Sequence, residues 1–256
     1  FGGSEHIRDV LEDVVGHVDR VHVVPPGVDI EEFAPLGREE ALRRLLAESR
    51  ADPPNLGSAN ERLPDAGNAE RLEAFFAADE PTVLYFGKLL HNKGVHVLLE
   101  ALREVDARAV IVGFGDYRAE LEDLASERAI FTGALEHRHL AALIPLTDVT
   151  VVPSIFPEAF GMVAAEAAAA GSLPLVAKHS GLAEIAAGIA EEYPEGKGEL
   201  ASFETGNAAE LAEKLRRLLA LEPEERAELA RGARKAVVDR WSWAGVANRL
   251  LEPFSA

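Results

Sequence analysis

Two carboxylates, Glu158 and Glu166, and two lysines, Lys88 and Lys93, stand where this sequence could do chemistry. The carboxylates belong to residues 153–166 (PSIFPEAFGMVAAE), and the lysines to residues 87–94 (GKLLHNKG). Carboxylates accept hydrogen bonds from sugar hydroxyls, and lysines beside flexible glycines neutralise a diphosphate as point charges. We therefore expect one carboxylate to meet the sugar of a nucleotide-sugar, the other its ribose, and the lysines its diphosphate.

The spacing of the two carboxylates carries little information by itself. Glu makes up 32 of the 256 residues, so about four pairs separated by eight positions arise by chance, as with any short motif. The context is more specific: a strand end, Pro-Ser, and then Pro-Glu-x-Phe-Gly opening a helix. The free N–H groups and the dipole of such a helix start favour a phosphate.

The elements that must position these residues alternate along the chain. Short apolar runs rich in β-branched residues alternate with amphipathic stretches, which is typical of βαβ units around a buried parallel sheet. Strands are predicted at residues 21–25, 82–87, 109–113, 130–133, 149–153 and 173–177. Helices are predicted at residues 95–105, 117–127, 137–145, 161–170 and 181–187. Such a doubly wound α/β domain binds its ligands at the carboxyl ends of its strands.

The last part of the chain has a different pattern. After Ser202 it becomes purely helical, with helices predicted at residues 208–221, 223–240 and 243–252. Residues 51–68 contain three prolines and two glycines, which predicts a long mobile surface loop. The fold class predicted is a doubly wound parallel sheet flanked by helices and followed by an all-helical tail.

Composition narrows the classes of function. The chain has 26 Lys and Arg against 44 Asp and Glu, a net charge of −18, which disfavours nucleic acid or anionic lipid as a partner. Without cysteine it has no disulfide, thiolate zinc site or thiol nucleophile. Since nothing in this composition indicates an oxidising compartment, we expect a cytoplasmic protein. No apolar run reaches the length of a membrane span and no signal peptide is visible, so we expect no transmembrane segment.

A metal site is not expected. The pair His137 and His139 has no carboxylate or cysteine at ligand spacing nearby, and no Asp-x-Asp occurs to hold magnesium. His179 has no partner recognisable from the sequence, and Ser180-Gly181 is interpreted as a turn before a helix. We therefore expect neither a metal nor another cofactor beside the nucleotide-sugar.

Taken together, these segments resemble the retaining glycosyltransferases of family four, whose GT-B fold consists of two facing Rossmann-like domains. The matching segments occur in the family's order and cover nearly the whole chain. They are residues 24–29 (VPPGVD), Phe33, Pro35, residues 87–94, 112–115 (VGFG), 132–133 (TG), 153–154 (PS), 158–166, 171–177 (GSLPLVA) and 241–243 (WSW). The ordered set is far more specific than any one of its members.

The resemblance implies metal-independent transfer of a hexosyl group from a nucleoside diphosphate sugar, with retention of the anomeric configuration. Lys88, Lys93 and Glu158 would be its catalytic residues, the lysines on the diphosphate and Glu158 on the sugar hydroxyls, while Glu166 would bind the ribose. Lys88 stands where the family usually has Arg, so charge is kept and bidentate geometry is lost. The other implied donor-binding residues are Gly87 at the phosphates, Phe160, Gly161, Met162 and Val163 at the sugar and phosphate, and Gly133, Ala134, Leu135 and Leu140 at the base.

The resemblance also implies a domain organisation. Residues 1–20 would be the end of an N-terminal acceptor domain and its linker, residues 21–240 the Rossmann-like donor-binding domain, and residues 241–256 a helix that packs back on the N-terminal domain. The one methionine, Met162, lies in mid-chain. We expect the chain to be part of a longer enzyme, able to bind a nucleotide-sugar but unable to transfer the sugar without its acceptor domain.

Three alternatives stay open. A nucleotide-sugar epimerase on the same fold would need a histidine and carboxylates across the cleft, and product analysis would separate it from a transferase. A non-catalytic nucleotide-sugar-binding module would bind the donor without turnover. A Rossmann oxidoreductase domain would bind NADH, although Gly113-Phe114-Gly115 lacks the third glycine of the dinucleotide fingerprint.

Overall fold

A six-stranded parallel sheet lies at the centre of the protein. The structure is a computed structural model and describes residues 2–17, 21–52 and 62–251. Its strands are β1 (Thr82–Phe86), β2 (Arg108–Val112), β3 (Ala129–Phe131), β4 (Val149–Val152), β5 (Leu173–Ala177) and β6 (Ser202–Phe203). Their order is β3-β2-β1-β4-β5-β6, with every neighbouring pair parallel. This is the Rossmann-like, doubly wound order, and the predicted fold class is confirmed.

Helices flank the sheet and continue beyond it. They are α1 (Glu5–Val15), α2 (Arg38–Ala51), α3 (Asn68–Phe75), α4 (Val95–Ala101), α5 (Arg118–Leu124), α6 (His137–Leu143), α7 (Met162–Ala170), α8 (Ser180–Ala190), α9 (Ala208–Leu219), α10 (Pro223–Trp241) and α11 (Trp243–Leu251). Among the described residues, short 3₁₀ turns occupy His91–Lys93, Leu102–Glu104, Ile144–Leu146 and Gly198–Ala201. No helix in the described part of the chain combines the length and the apolar character needed to cross a bilayer.

The strands form where the sequence supplies short runs of apolar residues that can be buried on both faces. All residues of β1, β2, β4 and β5 are buried, as expected for parallel strands covered on both sides. The β1 and β2 strands pair over their whole length, from Thr82↔Arg108 to Phe86↔Val112. The order reverses between β1 and β4, so the loops after these two strands open toward the same edge.

Two strand predictions were wrong. Residues 21–25 form no strand: they make only the isolated bridge Gly2↔Val23, with Val24 N–H donating to the Gly2 carbonyl at 2.7 Å. The sixth strand is instead Ser202–Phe203, in the part of the chain where only helices were predicted. Two residues are too few to show a strand pattern, and β6 is defined by its pairing with Val176 and Ala177.

The predicted loop at residues 51–68 falls mostly outside the described residues, which resume at residue 62. What the sequence did not predict is that α2 and α3 lie on either side of this segment. Helix α2 packs against α3 and α6. In α3, Asn68 and Arg71 donate side-chain hydrogen bonds to the Thr132 and Phe131 carbonyls at 2.8 Å, so this helix lies beside the end of β3.

The helical tail returns to the beginning of the domain. Val28 N–H donates to the Trp241 carbonyl at 2.7 Å, and Val28 forms a bridge with Ser242. The Trp241 ring makes an edge contact with Phe160, with 5.6 Å between ring centroids. The tail predicted after the sheet is therefore present, and its start contacts a residue from the loop that follows β4.

Candidate functional site

A cavity of about 520 Å³ lies at the carboxyl ends of β1 and β4. Pockets of roughly 300–1,000 Å³ are typical of small-ligand sites, and in doubly wound folds they lie where the strand order reverses. The cavity is lined by Pro26, Tyr85, Phe86, Gly87, Lys88, Leu90, Lys93, Val152, Pro153, Ser154, Glu158, Ala159, Phe160, Gly161, Met162, Val163 and Leu182. Both candidate lysines and one candidate carboxylate thus share one cavity.

A buried tyrosine in β1 forms a hydrogen bond to the loop that follows this strand. Tyr85 Oη donates to the Lys88 carbonyl at 2.7 Å. Burial raises the pKa of Tyr85 well above its usual value, and the charge of Glu158 raises it further, so the phenol stays a neutral donor. Lys88 itself is exposed, and its side chain forms no ion pair with any described residue.

The loops after β1 and β4 touch backbone to backbone. Gly94 has φ +68°, and a Cβ added there would lie 1.9 Å from the Pro153 carbonyl oxygen, so no other residue fits. Ile155 N–H and Ser154 Oγ both donate to the Asn92 carbonyl, at 3.0 and 3.3 Å. These contacts fix the position of the lysine loop relative to the carboxylate loop.

Lys93 and Glu158 form an ion pair inside the cavity, with 2.5 Å between Nζ and Oε1. Both side chains are about a quarter to a third exposed, at 30% and 25%. Because both remain accessible, the pair offers a bound molecule one cation and one carboxylate side by side. A ligand with an anionic group next to hydroxyls matches this arrangement.

The N-terminus of α7 opens onto the same cavity. Gly161 precedes the helix with φ +135°, and a Cβ there would approach Leu182 and Ile185 at 3.0 and 3.1 Å. The first N–H groups of a helix have no carbonyl partner within it and carry the positive end of its dipole. With Met162 and Val163 lining the cavity, this end can hold a phosphate.

Glu166 lies deeper, within α7, and does not line the cavity. Its residue is 8% exposed, and burial, followed by the charge of Glu32, raises its pKa to about 7. Glu158 lies in the loop before α7 begins, so the two carboxylates belong to different elements.

The loop expected at the base is already paired with another part of the chain. Pro64 and Gly133 form an antiparallel bridge, with Ala134 N–H donating to the Leu63 carbonyl at 3.0 Å. The nearby Asp65 makes a bidentate ion pair with Arg118 at 2.8 and 2.6 Å. Residues 63–65 therefore cover one side of Gly133.

The family profile described as "Glycosyl transferases group 1" matches residues 68–236, more than half of the chain. The chain belongs to this family. A D-inositol 3-phosphate glycosyltransferase of Xylanimonas cellulosilytica is 33% identical over 190 residues, covering 68% of this chain and 40% of that protein. A GDP-mannose-dependent alpha-(1-6)-phosphatidylinositol monomannoside mannosyltransferase of Mycobacterium tuberculosis is 30% identical over 194 residues, covering 70% and 43%.

Solved structures agree with this membership at the level of the fold. The Anabaena HepE protein in complex with UDP-glucose superposes with a TM-score of 0.75 at 21% identity, covering 99% of this chain and 62% of that chain. Sucrose-phosphate synthase from Thermosynechococcus elongatus superposes with a TM-score of 0.73 at 24% identity, covering 99% and 56%. The predicted fold, one half of a GT-B arrangement, is confirmed. The group 1 chain spans about 40% of the length of the curated relatives named above.

Within this group 1 domain the cavity gathers only part of the predicted donor-binding set. It brings together Gly87, Lys88, Lys93, Glu158, Phe160, Gly161, Met162 and Val163. The residues outside its lining are Gly133, Ala134, Leu135, Leu140 and Glu166, of which Leu140 lies in the hydrophobic core.

The sequence did not point to several residues that shape the group 1 cavity. Tyr85 looked like an ordinary strand residue, and nothing in the alternation of apolar residues distinguishes its hydroxyl. The sequence shows no partner for His179 and predicts only a turn at Ser180. In the structure, both residues form hydrogen bonds to the loop that carries Glu158. Only their position directly after β5, at the same sheet edge, could have indicated them.

Membership in the group 1 family favours a transferase over the epimerase and binding-module alternatives.

Within residues 2–17, 21–52 and 62–251 there is no group of three or more histidine, aspartate and glutamate side chains placed to hold a metal ion. The chain has a net charge of −18, whereas the charged residues that line the cavity are two lysines, Lys88 and Lys93, and one glutamate, Glu158.

Proposed function

We propose that the whole protein is a retaining, metal-independent glycosyltransferase that moves a hexosyl group from a nucleoside diphosphate sugar to an acceptor, and that this chain is its donor-binding half. The observation that carries the proposal is the cavity that places Lys93, Glu158 and the α7 N-terminus around one volume at the sheet switch point. Family membership supports transfer as the reaction class.

The proposed binding mode follows the charges along the cavity. Lys88 and Lys93 bind the diphosphate, aided by the backbone of Gly87 and by the N–H groups of Met162 and Val163. Glu158 binds the hydroxyls of the transferred sugar, between Lys93 and the backbone of Phe160 and Gly161.

The nucleoside is proposed to extend beyond the cavity lining. Glu166 binds the ribose, and its raised pKa of about 7 allows its carboxyl group to donate as well as accept a hydrogen bond near neutral pH. Gly133, Ala134 and Leu135 border the base. Leu140, also expected at the base, is buried in the hydrophobic core, so no contact with the ligand is assigned to it.

The proposed catalysis is mainly electrostatic. As the bond between the anomeric carbon and the diphosphate oxygen breaks, negative charge grows on the leaving diphosphate, and Lys88, Lys93 and the helix N–H groups stabilise it. Glu158 holds the sugar so that the acceptor hydroxyl attacks from the face that the diphosphate leaves, which retains the configuration. The acceptor proton can pass to the departing diphosphate oxygen, so no metal is needed.

The domain organisation is part of the same proposal. The relatives are longer than this chain, which spans about 40% of their length. We propose that a second domain of the whole protein binds the acceptor, that residues 1–20 lead from it, that residues 21–240 form the donor domain, and that residues 241–256 pack back on that second domain.

Calorimetry on the 256-residue chain tests the donor assignment. One relative is GDP-mannose-dependent, and one structural neighbour forms a complex with UDP-glucose. The probes are therefore the nucleotides UDP, GDP and ADP and the nucleotide-sugars UDP-glucose and GDP-mannose. We expect one nucleotide series to bind with one site, unchanged by EDTA, and Glu166→Ala to weaken it, whereas the exposed Glu213→Ala should not. Equal binding of all three nucleotides to Glu166→Ala and to the unaltered chain would reject the ribose assignment.

A transfer assay separates the donor assignment from the domain proposal. With the binding nucleotide-sugar and a range of acceptor alcohols, the chain should bind the donor without forming a glycoside. Product made by the purified chain would overturn the proposal that another domain is required.

A further inference from the structure

The loop that carries Glu158 has no regular secondary structure, yet its carboxylate must be held in place to bind a sugar. The backbone of Glu158 is bound on both sides by the start of α8. Glu158 N–H donates to Ser180 Oγ at 2.9 Å, and Gly181 N–H donates to the Glu158 carbonyl at 3.0 Å. The position of Glu158 therefore depends on the residues just after β5.

The backbone of Gly181 is tightly packed against the loop that carries Glu158. A Cβ added at Gly181 would lie 2.6 Å from the Ala159 carbonyl oxygen and from Phe160 Cα. Such distances show that the loop backbone rests directly on the first turn of α8. A small movement of that turn must therefore move Glu158.

His179 extends the bonding to the other end of the same loop. Its Nε2 lies 2.7 Å from the Ser154 carbonyl, and its Nδ1 lies 2.9 Å from Ser180 Oγ. A carbonyl only accepts, so Nε2 carries the hydrogen, and in the neutral ring Nδ1 then accepts from the Ser180 hydroxyl. The chain of bonds runs from Glu158 N–H through Ser180 Oγ to His179 and on to the Ser154 carbonyl.

The backbone of Ser180 points to a specific need for this hydroxyl. Ser180 has φ +46°, the only positive φ at a described residue other than glycine. Glycine would adopt this conformation without strain, whereas other residues held in the left-handed region cluster at functional sites. A serine here places its Oγ within bonding distance of both Glu158 N–H and His179 Nδ1.

We propose that His179 and Ser180 are positioning residues that hold the Glu158 carboxylate against the transferred sugar. They act through the backbone of Glu158 and through Ser154, and neither side chain lines the cavity. This inference rests on the proposed function, since it assumes that Glu158 contacts the sugar of the donor. Sugar binding by Glu158 would thus depend on two residues that lie outside the Glu158–Glu166 segment.

The test compares a nucleoside diphosphate with its sugar derivative. For the unaltered chain, calorimetry gives the ratio of the dissociation constants of UDP and UDP-glucose, or of GDP and GDP-mannose, whichever pair binds. Ser180→Gly removes the hydroxyl and keeps a residue suited to positive φ. The ratio should fall about threefold to tenfold, the loss expected for one hydrogen bond, while the affinity for the diphosphate alone stays the same.

Two histidine variants and a control complete the experiment. His179→Phe should lower the ratio as Ser180→Gly does, and His179→Gln, which offers both a donor and an acceptor, should restore part of it. Ser126→Gly makes the same side-chain change at an exposed position and should change nothing. Exchange of the Glu158 amide hydrogen should accelerate in Ser180→Gly, because that amide loses its acceptor.

The outcomes separate the two proposals. If the unaltered chain binds neither diphosphates nor nucleotide-sugars, the donor assignment fails and the positioning role fails with it. If the unaltered chain discriminates the sugar and Ser180→Gly keeps the full ratio, only the positioning role is rejected. A parallel loss of diphosphate affinity and of the unfolding midpoint in Ser180→Gly would also reject it, since that pattern indicates a structural role alone.

Discussion

Lys93 and Glu158, 65 positions apart in the chain, meet with 2.5 Å between Nζ and Oε1. They come from loops that follow β1 and β4, the two strands between which the sheet order reverses. A diphosphate bound in this cavity must therefore share Lys93 with Glu158. Removing the lysine should therefore lower the affinity for a nucleoside diphosphate, whereas removing the carboxylate should not lower it.

Lys93→Ala should weaken binding of the nucleoside diphosphate by about tenfold to a hundredfold. A hydrogen bond to a charged group contributes roughly 1.5–3 kcal/mol, and the variant also leaves the Glu158 carboxylate facing the phosphates. Calorimetry measures the change. Lys197→Ala removes the same charge at an ion pair with Glu225 outside the cavity and should leave the affinity unchanged. Equal affinities of Lys93→Ala and Lys197→Ala would exclude Lys93 from the phosphate site.

Glu158→Gln should have the opposite effect on the diphosphate alone. Without the carboxylate, Lys93 is free to bind the phosphates, so UDP or GDP should bind as well as before or several-fold more tightly. The matching nucleotide-sugar should lose the added affinity that its sugar provides. The two titrations, run side by side, report both effects, and an unchanged gain from the sugar would contradict the assignment of Glu158.

Gly94→Ala should separate the two loops that form the cavity. The added Cβ would lie 1.9 Å from the Pro153 carbonyl, and alanine is strained at φ +68°. Gly196, at φ +78° with nothing within 4 Å, is the matched control, since alanine there meets the strain without the collision. Denaturant unfolding should show a loss of roughly 1 kcal/mol for Gly196→Ala and clearly more for Gly94→Ala, with weaker nucleotide binding only in the latter. Equal losses would show that the loops can move apart at little cost.

The sequence predicted the central strands well because each is a short apolar run buried on both faces, and the pattern of burial is local. It also indicated Lys88, Lys93 and Glu158, since the residues that follow parallel strands meet at one edge. The sequence analysis missed α2, because its many arginines and glutamates hide the helical spacing of its few apolar residues. It also missed β6, which has two residues and is defined only by its pairing with β5. The hydrogen bond from Glu158 N–H to Ser180 Oγ joins a loop to the first residue of α8, 22 positions later. Because the donor is a backbone N–H, which almost every residue has, the sequence could not indicate this bond.

Glu166 should make the protein less stable as the pH rises. Its pKa is about 7 in the folded protein against 4.5 for an exposed glutamate, so between these values the folded state binds more protons than the unfolded state. The stabilising effect of the neutral carboxyl is fully present below pH 4.5 and is lost as the pH rises through 7. The rise of the Glu166 pKa from 4.5 to about 7 corresponds to a loss of about 3 kcal/mol in the free energy of unfolding above pH 8.

Glu166→Gln tests this linkage because it keeps the shape of the side chain and removes its titration. Unfolding free energies measured in urea at pH 5 and pH 8.5 should show the variant gaining on the unaltered protein at the higher pH, whereas the exposed Glu213→Gln should show no such gain. Glu32→Gln should produce a smaller gain, since burial is the larger cause of the raised pKa and the charge of Glu32 the lesser one. If Glu166→Gln changes stability equally at both pH values, the carboxyl is ionised throughout and its environment is more polar than the structure indicates.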